Sequence, residues 1–506
     1  MMRMTMVLAA LAVLAATGAG AQDAPRVKIE SGALVGIAHE NANVFRDIPF
    51  AAPPVGELRW APPQPVKPWT GERMAALPGV SCPQPMNPNN TPNSGGANGA
   101  TSEDCLQLNV YAPRNAKGGA AKGAPVMVWI HGGSHRTGAS WVYDGQNFAR
   151  DGVVVVTVNY RLGALGYFAH PALTAAAKPG DPVGNYGLMD QIAALKWVQR
   201  NIAAFGGDPK NVTVFGESAG GMSTLALLAT PAARGLYQKA IVESGAGWFE
   251  PKTLAAKEAE GVGMLSKAGV NAATAAELRA IPVEKLVPIG GDYQPFTDGR
   301  LMTETASQAL VRGRFADVPL IIGSNSGEDS LMGPGPVGEL YLSRVRDLMA
   351  GPYKADGTDP QIVARAVFTD RIMGGPARWV AAKASGGKPA WLYYFSYVGS
   401  RFRPGVTRAA HAAEIQYVWE YWGRRTPMSV VSDEDKAVAS LMHACWVSFA
   451  RTGAPKCGQD AWPAYSPSKD RLMEFGSSSG VRTNFRKTEL DSQEAQVLPP
   501  LGLGGK

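Results

Sequence analysis

The run Val153-Val154-Val155-Val156-Thr157-Val158-Asn159 constrains the fold more than any other segment. Branching at Cβ stiffens χ1 and suits a pleated backbone. With no polar alternation, such a run reads as a strand buried on both faces, which places it inside a parallel sheet covered on each side. Shorter runs of the same kind recur at Leu106 to Tyr111, Val126 to Ile130, Val212 to Phe215, Lys239 to Glu243, Pro319 to Gly323 and Trp391 to Tyr397. Between them, Leu188, Ile192, Leu195, Val198 and Ile202 fall near one face of a helix over 188–205, and Ala219 to Leu228 reads as a second helix. Strands alternating with helices predict an α/β chain with a large, mostly parallel central sheet flanked by helices. Residues 26–70 are rich in Pro and turn signals, with short strands expected at Val27 to Ile37 and Asn43 to Pro49.

At 506 residues and 45% hydrophobic content, the chain can bury a large core. Its 59 Gly and 38 Pro follow no period, which excludes a collagen-like fibre. Arg3, the apolar stretch Met6 to Ala16 and Ala19-Gly20-Ala21 read as a signal peptide over 1–21. The mature chain is then 22–506, exported and either periplasmic or secreted. Beyond that leader no run approaches the ~18 apolar residues of a membrane span. The net charge of +7 is spread without a basic block, which argues against a nucleic-acid partner. An even count of four cysteines (82, 105, 445 and 457) in an exported chain suggests disulfides. Sequential pairing is the simplest of three connectivities. None forms a C-x-x-C pair, which disfavours zinc. The Pro/Asn/Gly segment 83–101 is expected to be an exposed, mobile loop, and the tail from Leu498 to be disordered.

Two segments match G-x-S-x-G, and context separates them. Gly216-Glu217-Ser218-Ala219-Gly220 lies between the strand Val212 to Phe215 and the apolar helix from Ala219. Small neighbours suit the strained turn that exposes such a serine. Ser478, in Gly476 to Gly480, is followed by no such helix and reads as a loop serine. A serine hydroxyl needs a base, and the base needs a carboxylate to fix its tautomer. In a sheet of this kind the expected chain order is Ser, acid, His. Only His411 and His443 follow Ser218. His443 falls within a helical run, whereas His411 follows a loop containing Pro404 and Gly405, so His411 is the candidate base. The acid is expected after the strand Pro319 to Gly323, where Glu328 and Asp329 both qualify. His131-Gly132-Gly133-Ser134 follows another strand, so the N–H groups of Gly132 and Gly133, joined by that of Ala219, are the candidate oxyanion donors.

With these motifs in place, the chain resembles the type-B carboxylesterases, an α/β-hydrolase family that includes bacterial para-nitrobenzyl esterases and cholinesterases. The resemblance runs from about Val27 to Tyr465. It rests on Phe45 to Ala51 with Pro53 to Gly56, Ser102 to Val110, Asn159 to Gly163, Gly187 to Gln191, and Phe205 to Pro209 leading to Gly216 to Gly220. It implies the α/β-hydrolase fold, as one catalytic domain over 22–506 with loop and helical insertions around an active-site gorge. It implies a serine carboxylesterase working through an acyl-enzyme, with Ser218, Glu328 and His411 as nucleophile, acid and base. It also implies a Cys82–Cys105 disulfide, structural ion pairs Arg59–Glu103 and Arg161–Asp190, and Glu217 in a supporting network near Ser244. No metal or cofactor is implied. The partner is a small-molecule ester, and the protein is expected to be a monomer or weak oligomer.

Several positions depart from the family pattern. Ser134 and His135 stand where a third glycine and an aromatic are usual, and Ala412 stands where glycine is common. Residues 83–104 contain no Phe, Trp or Tyr to hold a quaternary ammonium, so choline esters are poor candidates. Amide, lactone, carbamate or polymer-ester substrates remain alternatives, as does a non-catalytic binding role on the same fold. Trp248, Phe249, Tyr293 and Phe296 are candidates for an acyl pocket or for core packing. Arg136 is a candidate for attracting a substrate carboxylate or for a solvated loop position.

Overall fold

A computed structural model describes residues 24–114, 123–423, 426–458 and 461–504. The leader reading, residues 1–21, lies outside the described residues. Strands β1 (Arg26–Ile29), β2 (Gly32–Val35) and β5 (Glu72–Met74) make a small sheet. The large sheet contains β3 (Ile37–Ala38), β4 (Ala42–Pro49), β6 (Gln107–Pro113), β7 (Ala124–Ile130), β8 (Val154–Val158) and β9 (Gly207–Glu217). It continues with β10 (Lys239–Glu243), β11 (Leu320–Asn325), β12 (Ala390–Phe395), β13 (Arg471–Phe475) and β14 (Gly480–Thr483). Their order is β14-β13-β12-β11-β10-β9-β7-β8-β6-β4-β3. The stretch from β13 to β8 is parallel throughout, and both flanks are antiparallel. The expected α/β-hydrolase sheet is present.

The apolar runs work as their composition predicts. Along β7, Val126, Val128 and Ile130 enter one core, while Met127 and Trp129 enter another on the opposite face. Helices Tyr186–Asn201 and Ala219–Ala229 cover the first face, and helix Asp433–Thr452 covers the second. After β8, on one side of β7, the chain crosses to β9 on the other side. This reversal leaves a crevice at the carboxyl ends of the parallel strands, where side chains from several loops can meet.

Both disulfides follow the sequential pairing, Cys82–Cys105 and Cys445–Cys457. Two expectations need correction. The 83–101 loop is not simply exposed: Asn93 and Ala97 are buried. The Asn93 side chain accepts from the amides of Gly95 and Ala97 and donates to Gln84, which in turn binds both backbone groups of Gly138. Asn side chains fold a loop by replacing backbone partners, and composition alone hides this. The tail does not leave the body at Leu498 either. Leu498 and Leu503 are buried in the first core, because two leucines supply enough apolar surface to hold a short Gly/Pro segment down. Among the described residues, no helix is long and apolar enough to cross a membrane.

Two ion pairs tie the crevice's supporting loops together. Arg161, just after β8, meets Asp190 in two parallel bonds of 2.8 Å, with both side chains almost fully buried. Arg59 holds Glu103 at 2.7 and 2.5 Å. Arg161→Ala leaves the Asp190 charge without its partner and is expected to cost about 3–5 kcal/mol. A lower urea midpoint with unchanged secondary structure in dilute buffer is the expected reading. An unchanged midpoint would contradict the structural role.

Candidate active site

Ser218 lies between the end of β9 and the first turn of the helix that follows, at φ +55° and ψ −122°. This conformation is uncommon for a residue with a side chain, and its strain is on the order of 1–3 kcal/mol. The Ser218 amide donates to the Glu243 carbonyl of β10 at 2.8 Å, and its carbonyl accepts from Met222 at 2.9 Å. Glycines permit the turn: a Cβ on Gly216 would lie 2.6 Å from the Ile130 carbonyl oxygen, and one on Gly220 would press on the same atom. As the first residue of that helix, Ala219 has an N–H the helix leaves free.

The Ser218 hydroxyl lies 2.8 Å from Nε2 of His411, and His411 Nδ1 lies 2.5 Å from Oε2 of Glu328. A neutral ring therefore carries its proton on Nδ1 and accepts from Ser218 through Nε2. Glu328 is fully buried just after β11, and its Oε1 accepts from the Ser244 hydroxyl at 2.5 Å and the Asn325 amide at 2.8 Å. Asp329, the other acid weighed from sequence, turns away to Arg408 at 2.9 Å and Arg365 at 3.3 Å. The His411 loop is pinned to the Glu328 loop by three bonds: Gly327 N–H to the Ala409 carbonyl, Ala409 N–H to Ser326 Oγ, and His411 N–H to Ser330 Oγ. Ala412 takes φ +65° and Ser134 takes φ +56°, which explains why glycine suits both positions.

Four carboxyl groups are buried in this region: Glu217, Glu243, Glu328 and Glu414. The sequence motifs assign no role to Glu243, Glu414 or Asn325. The Asn325 amide donates to Glu414 and to the Ala410 carbonyl, and Trp446 Nε1 donates to Glu243 at 2.7 Å. The only signal in the sequence was proximity, Glu414 lying three residues after His411 and Asn325 three before Glu328. Burial pushes Glu217 up to about 7, Glu414 up to about 8 and Glu243 well above the carboxylate range. Burial alone would depress His411, but the charges of Glu217 and Glu328 outweigh it and hold the ring above its ordinary value. Glu217 Oε1 lies 3.1 Å from His411 Nε2 without hydrogen-bond geometry, so it acts on the ring through its field. A proton taken by Glu217 withdraws part of what makes His411 basic.

A cavity of about 590 Å³ opens over these groups, and Gly132, Gly133, Glu217 and His411 form part of its wall. A Cβ on Gly132 would lie 2.5 Å from Glu217 Oε2, and Gly133 adopts φ +97°. The two glycines therefore bring bare backbone to the cavity beside Ser218. His135 faces inward, not toward the cavity entrance. Its Nδ1 donates to the Tyr293 carbonyl at 2.9 Å, which leaves Nε2 to accept from the Ser223 hydroxyl at 2.9 Å. Burial holds its pKa down at about 4, so it stays neutral at physiological pH and anchors the glycine loop to the helix after Ser218.

Other sequence candidates lie apart from this cavity. Phe249 and Phe296 line a separate small pocket, Tyr293 is buried with Arg136 over its ring, and Trp248 packs against the core. Arg136 lines another pocket with Gln84 and Leu286. His443 is a buried helix residue, bonded to the Val418 carbonyl at 2.7 Å and to Asp151 at 3.1 Å. Asp151, Glu420 and His443 converge closely enough for a cation, but the Arg150 guanidinium holds both acids at 2.6 Å and already supplies positive charge there. Ser478 lies in the hairpin between β13 and β14, as a loop serine should.

With only six histidines in the chain, ring titrations can be followed by NMR. Glu217→Gln removes a negative charge beside His411, so the His411 pKa should fall, by about one pH unit or more. No change would mean that Glu217 does not act on the ring.

The carboxylesterase family matches the chain over residues 23–347 and 351–493. The para-nitrobenzyl esterase of Bacillus subtilis (strain 168) is 35% identical, over 94% of this chain and 98% of that protein. The fumonisin B1 esterase of Sphingopyxis macrogoltabida is 36% identical, over 89% of this chain and 86% of that protein. A solved para-nitrobenzyl esterase structure superposes with a TM-score of 0.79 at 31% identity, covering 92% of this chain and 99% of its own. This chain belongs to the carboxylesterase family and is a carboxylic ester hydrolase.

Proposed function

We propose that the chain hydrolyses small-molecule esters through Ser218 as nucleophile, His411 as base and then acid, and Glu328 as the group that orients and stabilises His411. Ser218 Oγ bonds to the ester carbonyl carbon as His411 Nε2 takes its proton. The carbonyl oxygen becomes an oxyanion, held by the N–H groups of Gly132, Gly133 and Ala219. One such donor typically contributes about 2.7–4 kcal/mol to the transition state. The tetrahedral carbon then releases the alcohol, whose oxygen receives the proton from Nε2. Water repeats the sequence on the acyl-enzyme, giving its proton to His411 and freeing the acid and Ser218.

The observation that carries this reading is the continuous chain of 2.8 and 2.5 Å contacts from Ser218 through His411 to Glu328, opening on a cavity walled by two glycines. The two disulfides and the leader-type N-terminus support export of a mature 22–506 catalytic chain.

Ser218→Ala should lower kcat/KM for para-nitrophenyl butyrate by roughly a thousandfold or more while leaving the fold intact. Activity within about tenfold of the parent would overturn the assignment.

A further inference from the structure

We propose that Arg401 selects esters whose alcohol part carries a carboxylate, by drawing that anion to the mouth of the cavity. The inference rests on the esterase reading above and adds the substrate class to it. One wall of the cavity is built by the segment 397–423, including Tyr397, Arg401, Phe402, Val406 and Trp422. Three arginines belong to this segment, and two are occupied: Arg403 pairs with Glu434 at 2.7 Å, and Arg408 shares Asp329 with Arg365. Arg401 has no carboxylate within ion-pair distance and makes no side-chain hydrogen bond among the described residues. Its guanidinium lies over the Phe402 ring, 4.5 Å from the centroid, which steadies it without neutralising it.

The surroundings favour an anion. Asp435 lies behind the same loop, but its carboxylate already accepts from Tyr397, Ser400 and Ser432. Among the described residues lining the cavity, Glu217 is the single acid, and it is buried at the floor. Two guanidiniums on Asp329 leave a further excess of positive charge beside the site. The uncompensated charge at the mouth is positive, and such a charge beside a low-dielectric cleft concentrates the opposite sign. Phe402, Val406 and Trp422 supply apolar surface between, which suits a carboxylate carried on an aromatic or aliphatic frame. The side is fixed by His411, which belongs to the same segment and must protonate the departing alcohol. We therefore assign the group that reaches Arg401 to the leaving alcohol, and the acyl side is the alternative the test separates.

The test compares three esters at fixed pH on the parent, Arg401→Gln and Arg401→Lys: 4-carboxyphenyl butyrate, its neutral analogue 4-carbamoylphenyl butyrate, and monophenyl succinate, which carries the carboxylate on the acyl side. Arg401 is exposed, so neither substitution threatens the fold. Arg401→Gln should lower kcat/KM for 4-carboxyphenyl butyrate about tenfold, chiefly through KM, and leave the neutral ester within about twofold, with Arg401→Lys in between. For the parent alone, rates on the anionic ester should fall with added salt. Equal effects on the carboxyl and carbamoyl esters, or a loss confined to monophenyl succinate, would overturn the proposal while leaving the esterase reading intact. No turnover of any of the three by the parent would instead overturn the esterase reading.

Discussion

A single backbone bond, from the Ser218 amide to the Glu243 carbonyl, holds the turn on which the site depends. It joins the ends of two adjacent parallel strands, so the sheet itself fixes where the hydroxyl points. The turn is strained, and it persists because the surrounding contacts leave no alternative. Gly216 and Gly220 press against the Ile130 carbonyl of β7, and the helix after Ser218 is buried along most of its length. Those contacts bring the end of β7, and with it Gly132 and Gly133, against the serine. Ser218 and the glycine loop are thus placed by the same packing.

The second constraint is charge. Four glutamates buried around one histidine would repel each other if all were ionised, so the protein meets the cost with protons and polar partners. Glu328 receives two donors of its own and faces His411 directly. Glu217, Glu243 and Glu414 are pushed toward their neutral forms. Of the four, Glu217 and Glu328 are the two that face the His411 ring directly. At the cavity mouth the balance reverses, with arginines in excess.

Much of this was legible in the sequence for identifiable reasons. Continuous β-branched runs such as 153–159 read as interior strands, and Ser218, His411 and the acid pair Glu328 and Asp329 follow from a short inventory of histidines and strand ends. Choosing Glu328 over Asp329 needed the family resemblance, because adjacent acids differ only in which way the loop turns them. What stayed hidden depended on tertiary placement. Nothing local distinguishes Arg136, which faces a different pocket, from Arg401, which faces the cavity. His135, which stands where the family usually has an aromatic, is a buried partner of Ser223. The order within 83–101 comes from one asparagine side chain, and the attachment of the tail from two leucines, both lost in an average over composition.

The central claim is that Ser218 is the activated nucleophile. The most direct measurement is mass spectrometry of the protein after reaction with an aryl phosphonate ester, followed by digestion. One phosphonyl group per chain on the peptide containing Ser218, with loss of activity in step, is the result expected. Stoichiometric labelling at another residue, or full inactivation with Ser218 unmodified, would contradict it.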